Sequence, residues 1–345
     1  MAASRPCLQS TRPRSTRQST LPGGNPLLRT GCGGPALQAV WLPGEPVHGS
    51  SQPRRLLLVA NPIAGGGRGK VSATRLAAAL QQRGIEAAVY LTTAPGDAAA
   101  RAARAGTESW HGLVAIGGDG TVNEVLNGMP DPSRPLAVLP LGTANVLALE
   151  LRLPKQPEAA AAIIAAGHLR KLAIGLCGTR RFLLFCGAGV DGAVVQRLNE
   201  VRTGTLGKRK WLAPILHTVW HWPQFTLSAT FPDGSRLENL SSVLVTRVRN
   251  YGGVVRLTTD VSVDSGLLHV LCFRQRSRLQ WIWQGARAFA RRMAPGPRLE
   301  VRAVTAVRID GDAPFQIDGD FGGRTPVQVS LLPQQAEVFV AAERS

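Results

Sequence analysis

From residue 54 onward, short runs of apolar residues alternate with segments of helical spacing. Residues 56–60, 86–91, 113–116 and 136–139 read as strands. Residues 71–83 read as a helix closed by Gly84, where a left-handed residue suits the C-terminus. Asp97 stands where an N-cap would open an alanine-rich helix running to Gly106, and a further helix ends at Gly128. Such alternation predicts a parallel sheet with helices on both faces.

Past Pro157 the pattern changes. A helix at 158–166 leads into strand-like pieces at 172–177, 182–186, 225–231, 243–248, 267–273, 303–309 and 327–332. Pro232-Asp233-Gly234 reads as a turn between two of them, and helical segments interrupt the series near 193–222 and 278–293. The expected fold class is therefore α/β plus all-β. A parallel α/β domain spans 54–150. A mainly antiparallel β-sandwich domain spans 151–345, and its last segment is free to pack back on the first domain.

Residues 1–53 stand apart. They are rich in Ser, Thr, Pro, Gly and Arg, the first acid is Glu45, and no hydrophobic period is visible, so the region reads as a disordered extension. An Arg- and Ser-rich leader poor in acids also resembles an organelle transit peptide, and both readings stand.

Charge narrows the partners. The chain carries 40 Lys+Arg against 22 Asp+Glu, a net +18, which suits an anionic membrane surface or an anionic substrate. Nucleic acid also fits the sign, but only 2 Tyr are present and no zinc-finger or aromatic-basic recognition motif appears. Nucleic-acid binding is not expected. Cys7, Cys32, Cys177, Cys186 and Cys272 are scattered and odd in number, which fits a reducing compartment rather than a disulfide framework or a structural zinc site. Residues 211–232 hold no Lys, Arg, Asp or Glu, but Pro214, Pro223, His217, His221 and Gln224 argue against a membrane span.

The candidate chemistry lies in three loops that follow predicted strands: NPIAGGG from Asn61, GGDGT from Gly117 and PLGTAN from Pro140. Glycines allow a backbone to approach a bulky anion, and amides at a helix start favour negative charge. In an α/β sheet these loops sit at the carboxyl ends of the strands, where ligands bind. Asp119 inside the second loop would be repelled by bare phosphate and so suggests a metal or a hydroxyl as intermediary. Two tempting motifs fail. GRGK lacks the first glycine of a P-loop (Ala64 stands there) and has no Ser or Thr after Lys70. GAGVDG at 187–192 is followed about 20 residues on by Lys208-Arg209-Lys210 where a dinucleotide fold needs an acid.

The three loops in this order, with GAGVDG, a D-x-G-L-L piece at 264–268 and IDGD at 317–320, resemble the diacylglycerol kinase catalytic family, which is related to sphingoid-base kinases and shares GGDGT with NAD kinases. The resemblance covers about 54–340. It implies an active site in the cleft between the two domains, and phosphoryl transfer from ATP, with Mg²⁺, to a lipid hydroxyl. Diacylglycerol is the favoured acceptor, and a sphingoid base or another lipid alcohol is the alternative. By position, Asn61, Gly65 and Thr92 would line the nucleotide site. Gly117, Gly118, Asp119, Gly120, Thr121 and Asn123 would wrap the phosphates, and Gly142, Thr143 and Asn145 would close the other side. Phosphoryl transfer needs positioning and charge neutralisation more than covalent help, so such a site suffices with one base.

The chain departs from the family in two places. The family's Asp-Gly-Glu, whose Glu is the general base, is here Asp318-Gly319-Asp320. Asp320 keeps the carboxylate but is shorter by about one carbon–carbon bond. It is the expected base, with Asp312 of the earlier IDGD as fallback and a solvated turn acid as the plain alternative. The family's Asp-Asp-Gly, whose second Asp helps hold an accessory Mg²⁺, is here Asp264-Ser265-Gly266. Asp264 and Asp191 are the remaining candidates for that metal, since a hydroxyl replaces a carboxylate poorly on a hard cation. These departures keep a catalytically weakened lipid- or nucleotide-binding protein in view. A cytoplasmic, peripherally membrane-associated enzyme is expected, acting on lipid at an anionic surface. The basic aromatic segments 202–222 and 274–298 could face that surface, or could bury their tryptophans and turn arginine to water. A homodimer is possible through exposed strand edges.

Overall fold

The computed structural model describes residues 55–201, 220–221, 224–252, 255–257, 261–290 and 293–342. The extension 1–53 lies outside them, as do Lys208, Arg209, Lys210, Trp211, Trp222, Arg291 and Arg292. Four strands open the fold: β1 (Arg55–Ala60), β2 (Glu86–Leu91), β3 (Gly112–Gly117) and β4 (Leu136–Pro140). They pair in parallel in the order β2-β1-β3-β4, so the order reverses at the β1/β3 edge. That is the switch point at which α/β sheets open a crevice.

Alternation along β1 explains both helix layers. Leu56, Leu58 and Ala60 share a core with α2 (Gly69–Gln81) and α6 (Pro157–Ala166) through Ala73, Leu76, Leu80, Ala161 and Ile164. Leu57 and Val59 point the other way, to α3 (Asp97–Arg104) and α4 (Asp119–Gly128), through Ala98, Ala102, Val125 and Leu126. Before α2 comes a single turn, α1 (Ala64–Gly67), in which Gly65 and Gly66 leave helical geometry. A short helix α5 (Val146–Glu150) follows β4.

The remaining chain builds β5 (Leu169–Cys177), β6 (Arg180–Phe182), β7 (Phe185–Gly189), α7 (Val190–Val201), β8 (Leu227–Thr230), β9 (Arg236–Leu240), β10 (Ser242–Thr246), β11 (Asn250–Tyr251) and β12 (Val255–Arg256). It continues with β13 (Leu268–Phe273), α8 (Arg278–Phe289), β14 (Leu299–Val304), β15 (Ala306–Asp310), β16 (Pro314–Ile317), β17 (Asp320–Arg324) and β18 (Val327–Phe339). One antiparallel sheet runs β14-β13-β10-β7-β16-β17. β5, β6, β8, β9, β15 and β18 instead extend the first sheet, where Val338 of β18 pairs with Leu136 of β4. Phe182, Cys186, Val243, Val245, Val307, Ile309, Phe315 and Val329 fill the space between the sheets. The fold is thus an N-terminal α/β layer with parallel strands and a C-terminal antiparallel β domain.

Three expectations need correction. The apolar run 182–186 is not one strand: β6 lies in the first sheet and β7 in the second. The run 303–309 divides in the same way between β14 and β15. Periodicity is blind to such crossings, because side chains stay apolar when a strand moves from one face of a core to the other. Asp97 does not cap α3. Gly96, at φ +83°, takes the cap position, and Asp97 accepts hydrogen bonds from the Tyr90 hydroxyl and from the amide and hydroxyl of Thr93. β9, β16 and β17 are additional. β18 runs on to Phe339 because a register shift against β5 accommodates Pro333, which has no amide to donate.

Candidate active site

The three glycine loops meet beyond the carboxyl ends of β1, β3 and β4. Asn61, just after β1, donates its amide to the Ile116 carbonyl at 2.9 Å, and its side-chain oxygen accepts from the Ile63 amide at 3.1 Å. Gly65, Gly66 and Gly67 then take φ of +63°, +72° and +88°, a conformation a Cβ would strain. Gly69, the second glycine of GRGK, serves packing: a Cβ there would lie 1.9 Å from the Asn61 carbonyl oxygen. Thr92 follows β2 directly, with its amide on the Ala60 carbonyl at 2.9 Å.

The second and third loops touch backbone to backbone. Leu141 donates its amide to the Gly117 carbonyl at 2.7 Å. A Cβ on Gly142 would sit 2.5 Å from the Gly118 Cα, and one on Gly117 would strike the buried Thr121. Asn145, at φ +49°, holds its own loop by accepting from the Gly142 amide at 2.8 Å and donating to the Gly142 carbonyl at 2.7 Å. Asp119 completes the junction. Its carboxylate accepts from the amides of Val146 (3.0 Å) and Leu147 (3.3 Å) at the start of α5. Burial pushes its pKa up, and these amides pull it back. Thr143 is exposed on the rim, while nothing crowds the positions a Cβ would take on Gly66, Gly67 and Gly120. The loops are close to one another yet open outward, as an anion cradle requires.

The antiparallel half brings its acid to this cradle through Arg180. Asn123, buried on α4, accepts at Oδ1 from Nε (3.0 Å) and Nη2 (2.7 Å) of Arg180. The same guanidinium donates to Asp320 Oδ2 at 2.6 Å. Arg180 opens β6 just after the β5–β6 turn, and that hairpin is clamped to α4. Asn127 accepts from the Arg181 amide at 2.8 Å and donates to the Arg181 carbonyl at 2.9 Å. Asp318, two residues before Asp320, is buried at φ +49°. Its carboxylate accepts from Asn123 Nδ2 (2.9 Å) and from the amides of Leu183, Leu184 and Phe185. Those amides lie where the chain leaves one sheet for the other, so Asp318 holds the crossing between β6 and β7. Burial nevertheless pushes its pKa up to about 6.

Residues 55–177 match the family model of the diacylglycerol kinase catalytic domain. Residues 185–340 match that of the YegS C-terminal NAD kinase beta sandwich-like domain. The chain belongs to the diacylglycerol kinase catalytic-domain family. Among its relatives, a diacylglycerol kinase of Staphylococcus saprophyticus is 26% identical over 297 residues, covering 83% of this chain and 95% of its own. One of Staphylococcus carnosus is 26% identical over 298 residues, with the same coverage of 83% and 95%. The crystal structure of a diacylglycerol kinase from Bacillus anthracis superposes with a TM-score of 0.65 at 20% identity, covering 85% of this chain and 98% of that one. Membership of this diacylglycerol kinase-like family makes the protein a lipid kinase, a phosphotransferase with an alcohol acceptor.

For this lipid kinase the accessory metal candidates have separate partners. Asp191 is half-buried on α7, where it accepts from Gln316 Nε2 at 2.7 Å and from the Tyr251 hydroxyl. Desolvation pushes its pKa up to about 6. Asp264 is more exposed and makes a bidentate pair with Arg170, 2.6 Å at its shortest. Ser265, which replaces the family's carboxylate, bonds His269 Nε2 at 2.9 Å. Among the described residues, no group of three or more His, Cys, Asp or Glu is arranged to hold a metal. The fallback base Asp312 is engaged on the surface by Arg324 at 2.7 Å. The glycines of GAGVDG serve packing: a Cβ on Gly187 would strike Asp191, and one on Gly192 would lie 2.0 Å from the Pro314 carbonyl oxygen. Arg180 and Asp318 escaped the sequence reading. Arg180 lies in a Gly-Thr-Arg-Arg stretch that reads as an ordinary polar turn, and Asp318 was visible only as the motif's first acid.

Proposed function

We propose that this lipid kinase is ATP-dependent, that diacylglycerol is its acceptor, and that Asp320 takes the hydroxyl proton. The observation that carries the reading is the Arg180 bridge, which ties Asp320 to Asn123 on the helix that begins at GGDGT. Acceptor acid and phosphate loop are thereby held in one unit, as a near-attack geometry demands. The open glycine cradle suits a triphosphate, with Asn61, Gly65 and Thr92 on its nucleotide side. Mg²⁺ fits only as a metal carried mainly by phosphate and water, because Asp119 is the one carboxylate inside the cradle and both its oxygens already accept amides. When bound, such an ion would neutralise charge on the transferring phosphoryl group. The chain's own part is to align: backbone amides on the phosphates, Asp320 on the hydroxyl, and Arg180 holding Asp320 in place. No helix among the described residues is long and apolar enough to cross a membrane.

The test is label transfer from ATP with Mg²⁺ in mixed micelles that present diacylglycerol, sphingosine, monoacylglycerol or ceramide singly. Transfer to diacylglycerol, reduced by at least about a hundredfold in Asp320→Asn and retained in Asp320→Glu, supports the reading. Unchanged transfer in Asp320→Asn removes Asp320 as base. No transfer to any lipid by the wild-type protein, with ATP still bound, points to a binding protein instead.

A further inference from the structure

Helix α8 wears its apolar face outward. Ser277 opens it, with its hydroxyl accepting the Gln280 amide. The stripe turned to the core is narrow: buried Gln284 and Ala288, and half-buried Trp281, whose ring lies 5.2 Å from that of Phe273. On the opposite side Leu279 is 72% exposed, Ile282 54%, Trp283 66% and Phe289 70%. These positions recur with helical spacing, so they form one continuous apolar strip, not scattered exposure. Trp220, 70% exposed, comes from a distant part of the chain to join it, with the Arg278 guanidinium 5.2 Å from its ring centroid.

Charge identifies what covers the strip. Between Phe273 and Leu299 the chain has seven arginines and no acid, and between Glu200 and Asp233 it again has no acid. Arg276 and Arg278 are exposed at the start of the helix. A second copy docking by the same face would bring arginine against arginine with no carboxylate to relieve it. Segment 202–219 carries Arg202, Lys208, Arg209 and Lys210 and no acid, so its charge does not complement the arginines of the helix. An anionic bilayer answers both demands. Its interface accepts Trp, Leu, Ile and Phe, and its headgroups attract the arginines. The helix also reaches the site by continuity. α8 packs beside β12, which pairs with β11, and Asn250 of β11 donates to Glu150 of α5 at 2.7 Å.

We infer that the outward face of α8, with Trp220, is the surface by which this kinase lies on an anionic bilayer. The inference rests on the lipid-kinase reading for its purpose but not for its test. Sedimentation with vesicles of phosphatidylcholine alone, or mixed with phosphatidylglycerol, measures binding without catalysis. Leu279→Gln/Trp283→Gln/Phe289→Gln is expected to weaken partitioning onto the anionic vesicles by at least about tenfold. Arg276→Gln/Arg278→Gln weakens it by about fivefold per arginine on anionic vesicles only. Brominated lipid quenches the wild-type tryptophan signal, and Trp283→Phe removes part of that quenching. Transfer to a water-soluble short-chain acceptor reads the active site separately. Its absence in a protein that binds vesicles through α8 refutes the acceptor and spares the docking face. Partitioning of the triple variant equal to wild type overturns the docking face. So does a triple variant that sediments normally but changes from dimer to monomer by light scattering, which would assign the strip to a second copy.

Discussion

Replacing Arg180 by Met isolates the side chain that ties Asp320 to Asn123 on α4. The substitution removes two donors from Asn123 Oδ1, at 3.0 and 2.7 Å, and one from Asp320 Oδ2, at 2.6 Å. The Arg180 and Asp320 side chains are 30% and 39% exposed, so solvent screens the ion pair. Its share is about 1 kcal/mol. The bonds to Asn123 are better shielded, and leaving its oxygen with only the longer bond from Asn127 Nδ2, at 3.2 Å, costs about 1 kcal/mol. Stability should fall by roughly 2 kcal/mol, a melting shift of a few degrees in a chain of this size. Activity should fall further, because Asp320 is released from α4. A misplacement near 1 Å costs about a hundredfold. The expected result is kcat down about 10²-fold in the micelle assay, with KM for ATP nearly unchanged, since the glycine cradle is untouched. Arg180→Lys should recover only part of the loss, because a point charge cannot engage Asn123 and Asp320 together as the fork does. A Met variant with kcat within threefold of wild type would refute the reasoning, whatever its melting temperature.

Stability should also respond to pH through two desolvated acids. Asp191 and Asp318 have pKa values raised to about 6 by burial, against an unfolded value near 3.8. The folded state holds these protons more tightly, so this contribution is complete below about pH 4, declines through about pH 6 and is level above that, by at most about 3 kcal/mol per group. Urea midpoints across that range should show the decline, and Asp191→Asn should remove about half of it; an unaltered slope would discard the assignment. Gly142→Ala forces the second and third loops apart, because its Cβ would lie 2.5 Å from the Gly118 Cα. It should cost about 1–3 kcal/mol and weaken ATP binding at least tenfold by calorimetry. Gly120→Ala meets nothing within 4 Å, so a loss of ATP affinity at unchanged melting temperature would report close approach of the nucleotide itself.

What the chain determined by itself was local. Apolar runs and helical spacing specify β1 to β4 and the helices between them. The glycine loops were legible because their backbone geometry and the anion they suit depend on neighbours in sequence. The family resemblance added the roles expected of Asp119, Asn123 and Asp320. Tertiary structure decided what depends on distant contacts. Arg180 meets Asn123 across 57 positions and Asp320 across 140, and no periodicity encodes that meeting. Asp318 became visible as the clamp of a sheet crossing only once the amides of 183–185 were seen on its carboxylate. α8 shows the physical reason most plainly. Apolar residues lie all round it, so sequence could not say which side was core. Packing turned Trp281 inward against Phe273 and left Trp283 in solvent.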